Sequence, residues 1–167
     1  MIVLGIDPGL ALTGYGIVEE KAGRISLLEV GCIRTLSASP TAERLQILYS
    51  ECMAVVSRHK LAAGAVEKLF FNTNVTTAMA VAEARGVIIL ALANNHVPIT
   101  EYTPLQVKQA ITGFGRADKG QMQRMVQSLL GLGEVIRPDD AADAVAIALC
   151  HLQSHRFSAA IHKGGRG

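Results

Sequence analysis

Five acidic residues fall where an acid is least expected. Asp7 closes the apolar run IVLGI, Glu67 interrupts AVEKLFF, and Asp139, Asp140 and Asp143 lie in DDAADAVAIAL. Residues 140 and 143 are three apart and residues 139 and 143 four apart, so either pair projects from one face of a helix. Strand-end acids from two neighbouring strands, with two more from a helix packed over that end, bring four carboxylates to one place. Carboxylates that close repel one another unless cations lie between them, and hard oxygen donors suit Mg²⁺ or Mn²⁺. Two such ions about 3.5–4 Å apart can clamp the attacking and leaving oxygens of an in-line phosphoryl displacement. Taken singly, each acid has a plainer reading: a turn for Asp7, a strand-edge pair with a lysine for Glu67, the helix dipole for Asp139 and Asp140. Their combination is what points to chemistry.

A second group is basic. Between residues 104 and 124 stand Lys108, Arg116, Lys119 and Arg124 against the single acid Asp118. A solvated helical face has this composition, and so does a row of phosphate contacts. Phe70 and Phe71, two of only four phenylalanines, follow Glu67 closely, with Asn72 and Asn74 beyond them. They suit either core packing or stacking on an opened base. His151 and His155 are four apart and lack a third ligand; roughly 12 Å of helix separates His151 from Asp143, so both histidines read as surface or tail residues.

Composition narrows the field. The chain has 167 residues, half of them hydrophobic and 18% charged, which fits one folded domain and excludes the profile of a disordered chain. No clean apolar run is longer than Val87 to Ala93, far short of the roughly 18 residues that span a bilayer. No secretory pattern opens the chain, so a mature cytoplasmic protein is expected. Cys32, Cys52 and Cys150 are scattered, with no CxxC, and read as reduced core thiols. Residues 1–150 carry thirteen bases and fourteen acids, while 151–167 carry three bases and no acid. A body of net −1 suits a polyanionic partner only if cations neutralise some of its acids.

The elements that must position these groups follow from periodicity. Strands are predicted at Ile2–Ile6, Tyr15–Glu19 and Ile25–Thr35, joined by short turns into an antiparallel meander. Ser39-Pro40 offers a helix start, with Leu45, Leu48, Cys52 and Val55 or Val56 at helical spacing to about Lys60. A fourth strand at Ala62–Val66, a long helix at Thr73–Asn95 and a fifth strand at Val97–Tyr102 come next. The long helix is apolar on more than one face, so a second subunit is expected to cover part of it. Thr103-Pro104-Leu105-Gln106 and Asp118-Lys119-Gly120-Gln121 are capping boxes that open two short helices around a glycine-rich loop. A last helix is predicted from Pro138 to about Ser154, and spacing alone leaves Asp139 and Asp140 equally placed on it.

IDPGLALTGYGIV at the start, VEKLFF with Asn72 and Asn74, ARGVI at 84–88, QVKQAITGFG at 106–115 and DAADAVAIAL at 140–149 occur in one order. Over about residues 1–155 the sequence resembles the RuvC family of bacterial Holliday-junction resolvases. That resemblance implies an α/β, ribonuclease H-like fold: a five-stranded mixed sheet, three strands antiparallel and the rest parallel, flanked by helices. It implies Mg²⁺-dependent paired nicks in four-way junction DNA by a homodimer that works with the RuvA and RuvB branch-migration proteins. The motif match makes Asp7, Glu67, Asp140 and Asp143 the catalytic and metal-binding carboxylates, for two Mg²⁺ per site with Mn²⁺ as a substitute, and so selects Asp140 over Asp139. It makes Lys108 and Lys119 phosphate contacts and Phe70 the DNA-side aromatic, with Phe71 beside it; Arg116 is added from its placement alone. Residues 1–155 are then the nuclease domain and 156–167 a basic, disordered tail. The rival readings are another ribonuclease H-like nuclease acting on RNA or other branched DNA, an actin-like ATPase, for which 167 residues leave no room, and a non-catalytic junction-binding module.

Overall fold

The computed structural model describes residues 1–68 and 75–164, the latter as backbone only at 75–77 and 158–164. Phe70, Phe71, Asn72 and Asn74 lie outside the described residues. Five strands form one sheet: β1 (Ile2–Asp7), β2 (Leu12–Lys21), β3 (Arg24–Arg34), β4 (Ala63–Glu67) and β5 (Ile99–Tyr102). Their order is β3-β2-β1-β4-β5, with β1–β2 and β2–β3 antiparallel and β1–β4 and β4–β5 parallel. The expected mixed sheet is therefore present. β1 is central because IVLGI is apolar on both faces, and its inner four residues are buried.

Each face of the sheet has its own apolar layer. On one lie α1 (Thr41–Ser57) and α2 (Val75–Asn94), burying Leu48, Cys52, Ile88 and Leu92 against Leu4, Ile6 and Val66. On the other, α5 (Asp139–Gly164) lies across β1 and β2 beneath α3 (Pro104–Thr112) and α4 (Lys119–Leu130). Both capping boxes form as predicted, Thr103 accepting from Gln106 N and Asp118 from Gln121 N. α1 differs slightly: Pro40 occupies the cap position, which has no side-chain cap hydrogen bond, and the helix starts at Thr41.

The end of the chain departs further from expectation. α5 continues past Ser154 to Gly164, so most of the segment expected to be disordered is helical backbone. Arg156, in the first turn beyond Ser154, reaches back to Glu20 of β2 at 2.8 Å, a contact 136 residues distant that no local pattern announces. His151 also corrects its reading as a surface or tail residue: it is 8% exposed, because α5 is covered on nearly every side from Ala141 to Leu152.

Candidate active site

Alternation along the strands sorts the site residues. In β1, Leu4 and Ile6 enter the layer under α1 and α2, whereas Val3 enters the layer under α5. Asp7 shares the parity of Val3 and so turns toward α5. In β4, Val66 belongs to the first layer and Ala65 to the second, so Glu67 also turns toward α5. The parallel ladder runs from Val3↔Ala63 to Ile6↔Val66, and the next residues along the two strands are Asp7 and Glu67. On β5, Tyr102 is the ladder partner of Glu67 and lies in the α5 layer.

α5 can deliver acids to this edge because the sheet beneath it is stripped of side chains. A Cβ at Gly14 would lie 2.0 Å from the Asp140 carbonyl, and one at Gly5 2.0 Å from that of Ala144. Helix backbone therefore rests on strand backbone, with Ala141, Ala144 and Ala148 completing the contact. The first turns of α5, which carry Asp139, Asp140 and Asp143, sit over the ends of β1 and β2.

The electrostatics are those of crowded, partly buried carboxylates. Burial pushes the Asp7 carboxyl from 3.8 to about 8, helped by the charges of Glu67, Asp143 and Asp140 and opposed by Lys119. Glu67 is raised by burial and then by Asp143. Asp143 is raised by burial, with Lys119 pulling the other way and Asp139 and Asp140 adding to the rise. Asp139 is different, held below its usual range first by a 2.7 Å hydrogen bond from Gln123 Nε2 and then by Lys119. It is the rim acid, also 3.3 Å from Arg137. Asp140 adds to the charge acting on Asp7.

Lys119 heads α4 and places its Nζ 3.3 Å from both Asp139 and Asp143. Beside Glu67 and Asp143 opens a cleft of ≈ 190 Å³, lined also by Val107, Lys108, Lys119 and Met122. Asp7 and Asp140 are not among its lining residues, and Arg116 is exposed on the α3–α4 loop outside it. Among the described residues, no group of three or more His, Cys, Asp or Glu side chains is arranged to hold a metal ion. The donor chemistry nonetheless fits a hard dication: oxygen donors only, partly buried, with Asp7, Glu67 and Asp143 each raised in part by neighbouring acids. As placed, the compensating charge is the Lys119 ammonium.

Two features escaped the sequence reading. One is the buried pair Tyr102–His151, with the hydroxyl 3.0 Å from Nδ1. The other is the ion pair between Arg85 of α2 and Glu101 of β5, in which Arg85 Nε is buried without a hydrogen-bond partner among the described residues. Arg85 lay in view within ARGVI, but its partner depends on which strand α2 crosses.

The family model for crossover junction endodeoxyribonuclease RuvC matches residues 3–151. A crossover junction endodeoxyribonuclease RuvC from Pelotomaculum thermopropionicum is 56% identical over 158 residues, covering 95% of each chain. The structure of T. thermophilus RuvC in complex with a Holliday junction substrate superposes with a TM-score of 0.90 at 38% identity, covering 95% of this chain and 96% of that one. A yeast mitochondrial Holliday junction resolvase, at 12% identity and a TM-score of 0.62 over 90% and 78% of the two chains, shares the fold alone.

Proposed function

The chain belongs to the RuvC family of crossover junction endodeoxyribonucleases, and from that premise we propose how its own residues do the work. It is a metal-dependent phosphodiester hydrolase that resolves Holliday junctions in recombination and repair, on a ribonuclease H-like fold. In our reading Asp7, Glu67, Asp140 and Asp143 would hold two Mg²⁺, with Mn²⁺ as a substitute. Bound there, the ions supply Lewis-acid stabilisation of developing charge and an activated water. Asp7 must ionise to act as a ligand, and its raised pKa makes loading proton-coupled. Lys108 and Lys119 line the cleft and take the phosphates flanking the scissile bond, where their charge also offsets that of the transition state. Arg116 meets the backbone farther out. Phe70 and Phe71, just beyond Glu67, contact bases near the branch point.

The observation that carries this reading is the placement of Asp7 and Glu67 at adjacent strand ends under α5, where burial and the neighbouring acids push Asp7 to about 8. A protein with no use for that crowding would gain stability by replacing one acid.

Met79, Gly86 and Leu90 recur along one stripe of α2, and Met79 is 60% and Leu90 53% exposed. A second copy covers this stripe, and the resulting two-fold dimer presents two sites to the pseudo-two-fold junction, nicking two strands symmetrically. The protein works in the cytoplasm with RuvA and RuvB. Among the described residues, no helix is long and apolar enough to cross a membrane.

Cleavage of a synthetic four-way junction with and without Mg²⁺ tests the proposal. Wild type should cut only with the metal, and Asp7→Asn should bind without cutting. Unchanged cleavage by Asp7→Asn, or preferential cutting of RNA–DNA hybrids, would overturn it.

A further inference from the structure

A second cavity, of ≈ 330 Å³, lies on the other side of α4 from the cleft. It is lined by Thr112, Phe114, Ala117, Gln121, Arg124 and Met125, and no carboxylate is among them. α4 serves both: Lys119 and Met122 face the cleft, while Gln121, Arg124 and Met125 face the cavity. Whatever lies against Lys119 is therefore within one helix diameter of this second opening.

Phe114 dominates it. The ring is 75% exposed, although the backbone beneath is fixed on several sides. Phe114 N donates to the Thr112 hydroxyl at 3.1 Å, and that hydroxyl lies within donating range of the carbonyls of Phe114, at 2.9 Å, and Lys108, at 2.8 Å. Ala117 N donates back to the Phe114 carbonyl at 3.4 Å, and Ala117 itself is buried. A loop held this firmly could have turned its aromatic ring into the core. Instead it holds the ring in water beside the cavity.

Charge indicates which partner. The hairpin between residues 104 and 124 carries four bases and one acid, and that acid, Asp118, is engaged in capping α4 at 2.8 Å from Gln121 N. Arg124 lies back along the first turn of α4, over Gly120, where a Cβ would come within 3.2 Å of its Nη1. Neither Arg116 nor Arg124 pairs with a carboxylate among the described residues. An aromatic face, a guanidinium free to take a phosphate and the Gln121 amide nitrogen, whose partner oxygen is held by Asp118 N at 3.0 Å, form the combination that receives a nucleotide with its base unstacked.

We infer that the α3–α4 hairpin holds a second DNA contact, outside the cleavage cleft, in which Phe114 stacks on a splayed base of the junction and Arg124 binds the adjoining phosphate. This rests on the junction-binding reading above and extends it to a site that leaves the chemistry untouched. Because every base offers a π-face, the contact anchors an arm of the junction without choosing a sequence.

The test uses the full chain carrying Asp7→Asn, with fluorescein-labelled four-way junction titrated by anisotropy at several salt concentrations. Phe114→Ala should weaken binding about tenfold, with Phe114→Trp restoring it. Arg124→Gln should lower the slope of log affinity against log salt by about one, a change Phe114→Ala should not produce. The Phe114 variants should melt with the parent, since the ring is mostly in water. Abasic sites moved along the arms should reveal one position that weakens the parent protein and has no further effect on Phe114→Ala. Binding by Phe114→Ala within twofold of the parent, or no such position, would overturn the inference. Failure of the wild-type protein to bind or cut the junction at all would instead sink the functional reading, so the two failures are distinguishable.

Discussion

The hydroxyl of Tyr102 meets Nδ1 of His151 at 3.0 Å, joining the last residue of β5 to α5 inside an apolar layer. Their rings meet edge to face, with centroids 5.9 Å apart. Tyr102 is the ladder partner of Glu67, and His151 lies two turns beyond Asp143, so one bond links the two supports of the acidic cluster. Tyr102→Phe takes that partner from His151 and also removes the hydroxyl's bond to Ser154. It should cost about 1–3 kcal/mol in urea denaturation. Burial, then His155, holds His151 below its ordinary 6.5. The unfolded chain therefore takes the proton more readily, and stability should fall as pH drops below 6.5, a slope that His151→Gln should flatten.

Asp7 acts with the opposite sign over an overlapping range. With its carboxyl raised to about 8, the metal-free native state holds a proton that the unfolded chain releases near 3.8. The contribution of Asp7 to stability should therefore decline between about pH 4 and pH 8, since at this group the folded state holds the proton there. Asp7→Asn should remove the decline and melt several degrees above wild type at pH 8, with little difference below pH 4. Mg²⁺ should raise the melting temperature of wild type at pH 8 and leave that of Asp7→Asn nearly unmoved.

Local features of the fold were the most legible. Both capping boxes could be read from four residues each, and the strands of the meander from alternation and their turns. Asp7 and Glu67 could be placed at strand ends because apolar runs stop there. The structure engages Asp139 with Gln123, Arg137 and Lys119 at the rim, contacts that spacing did not foretell. What remained hidden depends on contacts between distant segments. His151 reads as polar and terminal until α3 and β5 are known to cover it, and Arg156 continues α5 by way of Glu20, a residue of the second strand.

A surface cluster provides a stability test remote from the site. Glu29 receives Arg58 at 2.5 Å, His59 at 2.9 Å and the Tyr15 hydroxyl at 3.1 Å. The Arg58 hydrogen bond, foremost among these, holds Glu29 down at about 2, against the opposing effect of burial. The stabilisation is present above the ordinary 4.5 and lost as pH falls toward 2. Arg58 is 44% exposed, so solvent screens the pair and Glu29→Gln should cost only about 1 kcal/mol at pH 7. Acid titration of the melting temperature should show the mutant and wild type converging near pH 2.

Gly14→Ala tests the seating of α5. The new methyl would meet the Asp140 carbonyl, so the helix must lift or tilt at the end that carries the acids. Cleavage should fall at least 100-fold while junction binding persists, because misplacement on the scale of an ångström is sufficient to disable a positioned site. Gly133→Ala, where a Cβ meets nothing within 4 Å, should cut like wild type.

Leu90→Asp places a charge on the exposed stripe of α2. Sedimentation should shift from two copies to one without loss of helical content, and paired nicking should give way to single, unsynchronised nicks. An unchanged sedimentation coefficient would place the subunit contact elsewhere.

The acids are spread across the first strand, the fourth strand and the last helix, and this orders events during synthesis. A chain emerging from the ribosome carries Asp7 early and Glu67 midway, but it has no nuclease site until residue 143 has been added and α5 has settled on Gly5 and Gly14. If the proposed carboxylates do the cutting, the ability to cut arrives only with the completed core.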